Sequence, residues 1–79
     1  MKIDFSKDAE KAFGKLDSNL AGRIIKGIMK LPNKGDIKPL SGYSDGRKRL
    51  RIGGYRIIFL FENNFLQIIE IDSRGDIYK

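Results

Sequence analysis

Arg47-Lys48-Arg49-Leu50-Arg51-Ile52-Gly53-Gly54-Tyr55-Arg56-Ile57-Ile58-Phe59-Leu60-Phe61 alternates basic and apolar residues up to a diglycine and then becomes strongly apolar. Two such runs joined by paired glycines read as a β-hairpin, because a two-residue turn needs the positive φ that glycine supplies without strain. With Gly53 and Gly54 as the turn, Ile52 falls opposite Tyr55, Arg51 opposite Arg56 and Leu50 opposite Ile57. The pleat then sorts Arg47, Arg49, Arg51 and Arg56 to one face, and Leu50, Ile52, Tyr55, Ile57 and Phe59 to the other. Residues 47–56 carry five basic groups and no acid, so the arginine face is expected to lack a neutralising carboxylate. Like charges opposed across strands cost roughly 0.2–1 kcal/mol each, which points to an anion as the intended occupant. Guanidinium forks suit a polyphosphate better than ammonium groups do. The competing reading is a solvated face, or an edge protected against aggregation.

Working outward, Asn63-Asn64 offers a second tight turn into Phe65–Asp72, with Phe61 opposite Leu66, Phe59 opposite Ile68 and Ile57 opposite Glu70. The run Tyr55–Phe61 is apolar on both faces, as a central strand is. This register leaves Ile58, Leu60, Ile69 and Ile71 beside the arginines, with Glu62 on the same face near its far end. Toward the amino terminus, residues 33–46 contain Pro39 and three glycines and read as a loop anchored by Leu40. Before it, Asp17 or Ser18 caps a helix whose stripe is Leu20, Ile24, Ile25, Ile28 and Leu31, stopped by Pro32. Ser6 caps an earlier helix with Ala9, Phe13 and Leu16 inward and Asp8 and Glu10 in the first turn. Lys2–Phe5 suits a short strand with Ile3 and Phe5 inward. The fold class is therefore α+β: an N-terminal strand, a helix hairpin, then a three-to-four-stranded antiparallel sheet.

The 79 residues are enough for one domain spanning 1–79, and a chain of this size buries only about 60% of its unfolded surface. There is no cysteine and no histidine, which removes disulfides, thiolate chemistry, the usual acid–base side chain and the commonest metal ligands. No metal and no cofactor is expected. No apolar run has the length of a membrane span or a signal peptide, so a cytoplasmic protein without a membrane partner is expected. The net charge of +6 favours nucleic acid, an acidic protein segment, or both as partners.

The segments Lys38-Pro39-Leu40-Ser41-Gly42-Tyr43, Arg47–Arg51, Gly54-Tyr55-Arg56-Ile57-Ile58-Phe59 and Ser73-Arg74-Gly75-Asp76-Ile77-Tyr78, in that order, resemble the RelE/ParE toxins of bacteria and archaea. The resemblance covers nearly the whole chain. It implies the toxin of a type II toxin–antitoxin system, with a cognate antitoxin as partner. RelE-type members cleave messenger RNA in the ribosomal A site, and ParE-type members inhibit DNA gyrase. The RelE-type reading implies a metal-independent endoribonuclease that inhibits translation, with the ribosome and messenger RNA as partners. Carried over by position, Arg56, Arg74 and Tyr78 are the catalytic candidates, and Arg47, Lys48, Arg49 and Arg51 the RNA-binding ones. Many relatives have histidine before the last arginine, where this chain has Ser73.

In cleavage by the adjacent ribose 2′-hydroxyl, Arg56 and Arg74 suit stabilisation of the phosphorane. Arginine does not act readily as a base, the pleat turns Lys48 away from the arginines, and Glu62 sits near the far end of their face; the base stays open, with Tyr78 the hypothesis that goes with the resemblance. A gyrase inhibitor using the arginines as contacts, and a non-catalytic basic nucleic-acid-binding module, are the other readings.

Overall fold

The computed structural model describes residues 1–73. Its elements are β1 (Lys2–Phe5), α1 (Lys7–Gly14), α2 (Ser18–Met29), β2 (Asp36–Pro39), β3 (Lys48–Ile52), β4 (Tyr55–Glu62) and β5 (Phe65–Asp72). The strands form one five-stranded sheet in the order β1-β5-β4-β3-β2. The α+β class and the element order match the sequence reading. The sheet is wider than expected at both edges: β1 joins it in parallel with β5, pairing Lys2 with Phe65 through Phe5 with Ile68. At the other edge, β2 forms inside the segment expected to be loop and pairs antiparallel with β3. Its residues Asp36-Ile37-Lys38 do alternate, and Pro39 is tolerated because β2 lies on the edge.

Both helices start on the side chains that the sequence offers. Ser6 Oγ accepts from Ala9 N at 3.0 Å, and Asp17 Oδ1 accepts from Leu20 N at 2.9 Å. Each satisfies an amide that the first turn leaves without a partner. The helices cover one face of the sheet, and the core between them comprises Ala9, Ile24, Ile28 and Leu31 from the helical side with Leu50, Ile57, Phe59, Leu66, Ile68 and Ile71 from the strands. Gly27 permits close approach of α2 to β3, since a Cβ there would collide with the Ile52 side chain. Ile25, expected in the buried stripe, is instead exposed.

The two turns differ. At the diglycine, positive φ falls on Gly53 alone, at 58°, as in a turn needing glycine only at its first central position. Asn63 and Asn64 both adopt left-handed φ, 55° and 61°, the pattern of a type I′ turn. Asparagine tolerates this region but glycine occupies it without a Cβ penalty. Asn64→Gly is therefore expected to stabilise the protein by about 0.5–1 kcal/mol, seen as a higher urea midpoint with unchanged slope. A lower midpoint would contradict the turn assignment.

The β3–β4 register is as read from sequence, with Ile52 opposite Tyr55, Arg51 opposite Arg56 and Leu50 opposite Ile57. On the β4–β5 side, Phe61 faces Leu66 and Phe59 faces Ile68 as expected, but the next pair is Ile58 with Glu70. Ile69 is thus an inserted residue, a β-bulge. Its carbonyl accepts from Ser6 Oγ at 2.6 Å, while Ser6 N donates to Ile68 O at 2.9 Å. One serine therefore caps α1 and ties the start of that helix to the bulge.

Candidate functional site

The bulge decides what faces the arginines. Beyond Ile69 the alternation changes parity: Ile71 turns into the core, opposite Ile57, and Glu70 and Asp72 turn to the face away from the helices. That face also carries Arg49 and Arg51 from β3, Arg56, Ile58, Leu60 and Glu62 from β4, and Asp36 and Lys38 from β2. The expected placement of Ile71 beside the arginines, and of Glu70 opposite Ile57, is corrected by this shift. Sequence does hold a trace of it: within β5 the inward apolar residues are Leu66 and Ile68 at even positions and then Ile71 at an odd one.

The expectation of an unneutralised arginine face is also corrected. Arg56 Nη2 lies 3.5 Å from Asp72 Oδ2, its directly opposite residue across β4 and β5. Arg49 Nη1 lies 3.6 Å from Asp36 Oδ1 and donates to the Asp36 carbonyl at 3.3 Å. Arg49 is only 9% exposed, and this contact fastens the edge strand β2 to β3. Arg47 Nη2 lies 2.7 Å from Asp45 Oδ2. The physical reasons differ in each case. Asp72 arrives through the bulge, Asp36 through a strand read as loop, and Asp45 through a local turn just outside the basic run.

Arg51 is the exception. It is exposed, has no ion pair among the described residues, and stands directly opposite Arg56. Arg56 Nε is buried and makes no hydrogen bond among the described residues. A buried guanidinium N–H without an acceptor is costly, and a second cation across the ladder adds to that cost. Lys48 pairs with Phe59 and lies on the opposite parity from Arg49 and Arg51, exposed at the margin of the helix layer. Arg74 and Tyr78 lie outside the described residues. The structure therefore brings together Arg51 and Arg56 as a pair, with Arg49 beside them in a structural contact and Arg47 at the mouth of β3.

The Asp45 carboxyl is held below its ordinary value, first by the side-chain hydrogen bond from Arg47 and against a smaller opposing effect of desolvation. The Arg47 guanidinium is raised by the same bond. A lowered carboxyl means that the clamp is fully present above the unfolded value of 3.8 and is lost as pH falls through the lowered value. The Asp45 carboxyl resonance is expected to titrate below 3.8 in the native protein and to return to it in Arg47→Ala. Identical midpoints in the two proteins would rule the clamp out.

Among the described residues no group of three or more His, Cys, Asp and Glu is placed to hold a metal ion, and no helix is long and apolar enough to cross a membrane.

This arrangement, a helix pair on one face of a five-stranded sheet with arginines on the other, defines a known class. The family model of the ParE toxin of type II toxin–antitoxin systems, parDE, matches residues 3–78. The chain belongs to that family and is a toxin of a type II toxin–antitoxin system. Among solved structures it is similar to a chain of the RelB–RelE antitoxin–toxin complex of Methanococcus jannaschii, with 26% identity, TM-score 0.74, and 94% of this chain and 93% of that one covered. A chain of the archaeal RelE–RelB complex of Pyrococcus horikoshii OT3 has the same fold at 24% identity and TM-score 0.74, with 94% of each chain covered. So does one of the RelBE2 toxin–antitoxin complex of Mycobacterium tuberculosis, at 21% identity and TM-score 0.75, covering 95% of this chain and 92% of that one. No curated protein matches the sequence.

Proposed function

We propose that this toxin is an endoribonuclease that cleaves messenger RNA on the ribosome and so inhibits translation, acting in the cytoplasm and held in check by a cognate antitoxin. The observation that carries the reading is the Arg51–Arg56 pair: two guanidinium groups at directly opposite positions, one without an ion-pair partner among the described residues and one with a buried N–H that makes no hydrogen bond there. A phosphate seated between them would accept from both, and would offset the repulsion that the ladder otherwise imposes.

In the reaction, the ribose 2′-oxygen attacks the adjacent phosphorus and the bond to the 5′-oxygen breaks. The products are a 2′,3′-cyclic phosphate and a free 5′-hydroxyl. The proton of the 2′-hydroxyl leaves and the 5′-oxygen gains one. Arg56 stabilises the phosphorane, whose charge is greatest when both apical bonds are partial. Arg74 joins it in that role, and Tyr78 assists proton transfer. Arg47, Lys48, Arg49 and Arg51 are the proposed contacts to the RNA strand, with Arg51 the most available and Arg49 contributing through its hold on β2. The ribosome supplies alignment of the scissile phosphate, which is the larger part of the entropic demand. An acidic antitoxin segment suits a chain of net charge +6.

A gyrase-inhibiting reading has its own support. The matching family carries the ParE name, and three of the four arginines already hold carboxylates, as contact residues without chemistry can. Purified toxin added to a translation extract separates the two. The ribonuclease reading requires messenger RNA cut within the A-site codon, with DNA supercoiling by gyrase unaffected. Blocked supercoiling with intact messenger RNA would replace it by the gyrase reading. Neither effect would leave a basic binding module.

A further inference from the structure

The loop between β2 and β3 exposes an aromatic ring that is held from one side. Tyr43 is 53% exposed, and the Arg47 guanidinium carbon lies 4.2 Å from its ring centroid. The guanidinium is itself immobilised. Arg47 Nε and Nη2 donate to Asp45 at 3.1 and 2.7 Å, and Arg47 N donates to the same carboxylate at 3.1 Å. Leu40 N in turn donates to the Arg47 carbonyl, closing the loop onto the start of β3. A cation occupied in this way has less to offer a phosphate than the exposed Arg51 has. What it does offer is a rigid, charged backing for the ring, a cation–π contact.

We propose that Tyr43, backed by Arg47 and Asp45, is a stacking platform for one unpaired RNA base. The proposal rests on the ribonuclease reading and adds a base contact to its phosphate contacts. Aromatic rings accept any base, because every base presents a π-face, and a ring that is already fixed loses little freedom on binding. The neighbours of Tyr43 favour a base over a protein side-chain pocket. Residues 41–46 are Ser-Gly-Tyr-Ser-Asp-Gly, all exposed, so the chain on either side of the ring is polar and does not bury it as the centre of a protein interface is buried. The loop leads directly into β3, whose exposed Arg51 supplies a phosphate contact on the same segment of chain.

The test uses ribosomes programmed with messenger RNA bearing 2-aminopurine in the A-site codon, whose fluorescence is quenched on stacking. Wild-type toxin is expected to quench it. Tyr43→Leu, which keeps apolar bulk without a π-face, is expected to lose the quenching and bind at least about fivefold more weakly, while Tyr43→Trp retains both. Full quenching and affinity in Tyr43→Leu, alongside weakened binding in Arg51→Ala, would overturn the platform and leave the ribonuclease reading standing. Absence of binding by the wild-type protein would overturn both. Unchanged RNA binding in Tyr43→Leu with loss of antitoxin binding would overturn the platform in favour of a protein contact.

Discussion

Phe59→Ala lowers the unfolding free energy by about 3–5 kcal/mol, the usual result of emptying a fully buried aromatic site. Phe59 is 1% exposed, on the middle strand of the sheet, facing the helices and opposite Ile68 just before the bulge. The two layers cannot both close over the space it leaves, because Ile57 and Ile68 beside it are held by ladder hydrogen bonds. A domain of this size has only about 5 kcal/mol in total, so the variant is expected to be largely unfolded at 25 °C. Urea unfolding followed by circular dichroism reads the effect directly. Phe61→Ala, at a position 37% exposed, serves as the comparison and is expected to lose less than half as much. Equal losses at the two positions would mean that the core is not centred where the packing places it.

Arg56→Ala is expected to reduce A-site cleavage by about 100- to 1,000-fold, the range seen when a preorganised group that meets developing charge is removed. The substitution also removes the Arg56–Asp72 ion pair, at a stability cost of about 1 kcal/mol, so the variant's melting temperature must be recorded with its activity. Arg56→Lys separates the effects: it keeps a charge near Asp72 but loses the fork, and is expected to recover more of the stability than of the rate. A folded Arg56→Ala protein that cuts at the wild-type rate would remove Arg56 from the chemistry. Asp72→Asn bears on the same point from the other side, since phosphate and the Asp72 carboxylate compete for one guanidinium. Cleavage in that variant is expected to be at least as fast as in wild type.

The hairpin, both helix caps and the central strand were legible because each is fixed by residues within a few positions of one another. Gly53 sets its own turn, Ser6 and Asp17 bind amides three residues on, and the apolar run at Ile57–Phe59 is buried on both faces. The charge balance of the open face was not legible from such local rules. It depends on a single extra residue, Ile69, and on a four-residue edge strand, Asp36–Pro39, that forms only because β3 offers it a ladder. Asp45 was a local signal overlooked: an acid two residues from an arginine, with a glycine between, can fold back onto it. Arg49, Arg51 and Arg56 lie on the face that the alternation predicts, but the partners of Arg49 and Arg56 are set by tertiary register.

The parallel pairing of β1 with β5 has a consequence for the order of events during synthesis. Ser6 Oγ meets Ile69 at a sequence separation of 63, and among the described residues the first strand pairs with β5 alone. A nascent chain that has emerged as far as both helices still lacks the strand that aligns its beginning, and contacts of such long range are the slow ones to form. The polypeptide thus cannot complete its sheet while most of it is still being translated, and any property that needs the whole sheet waits until synthesis is nearly finished.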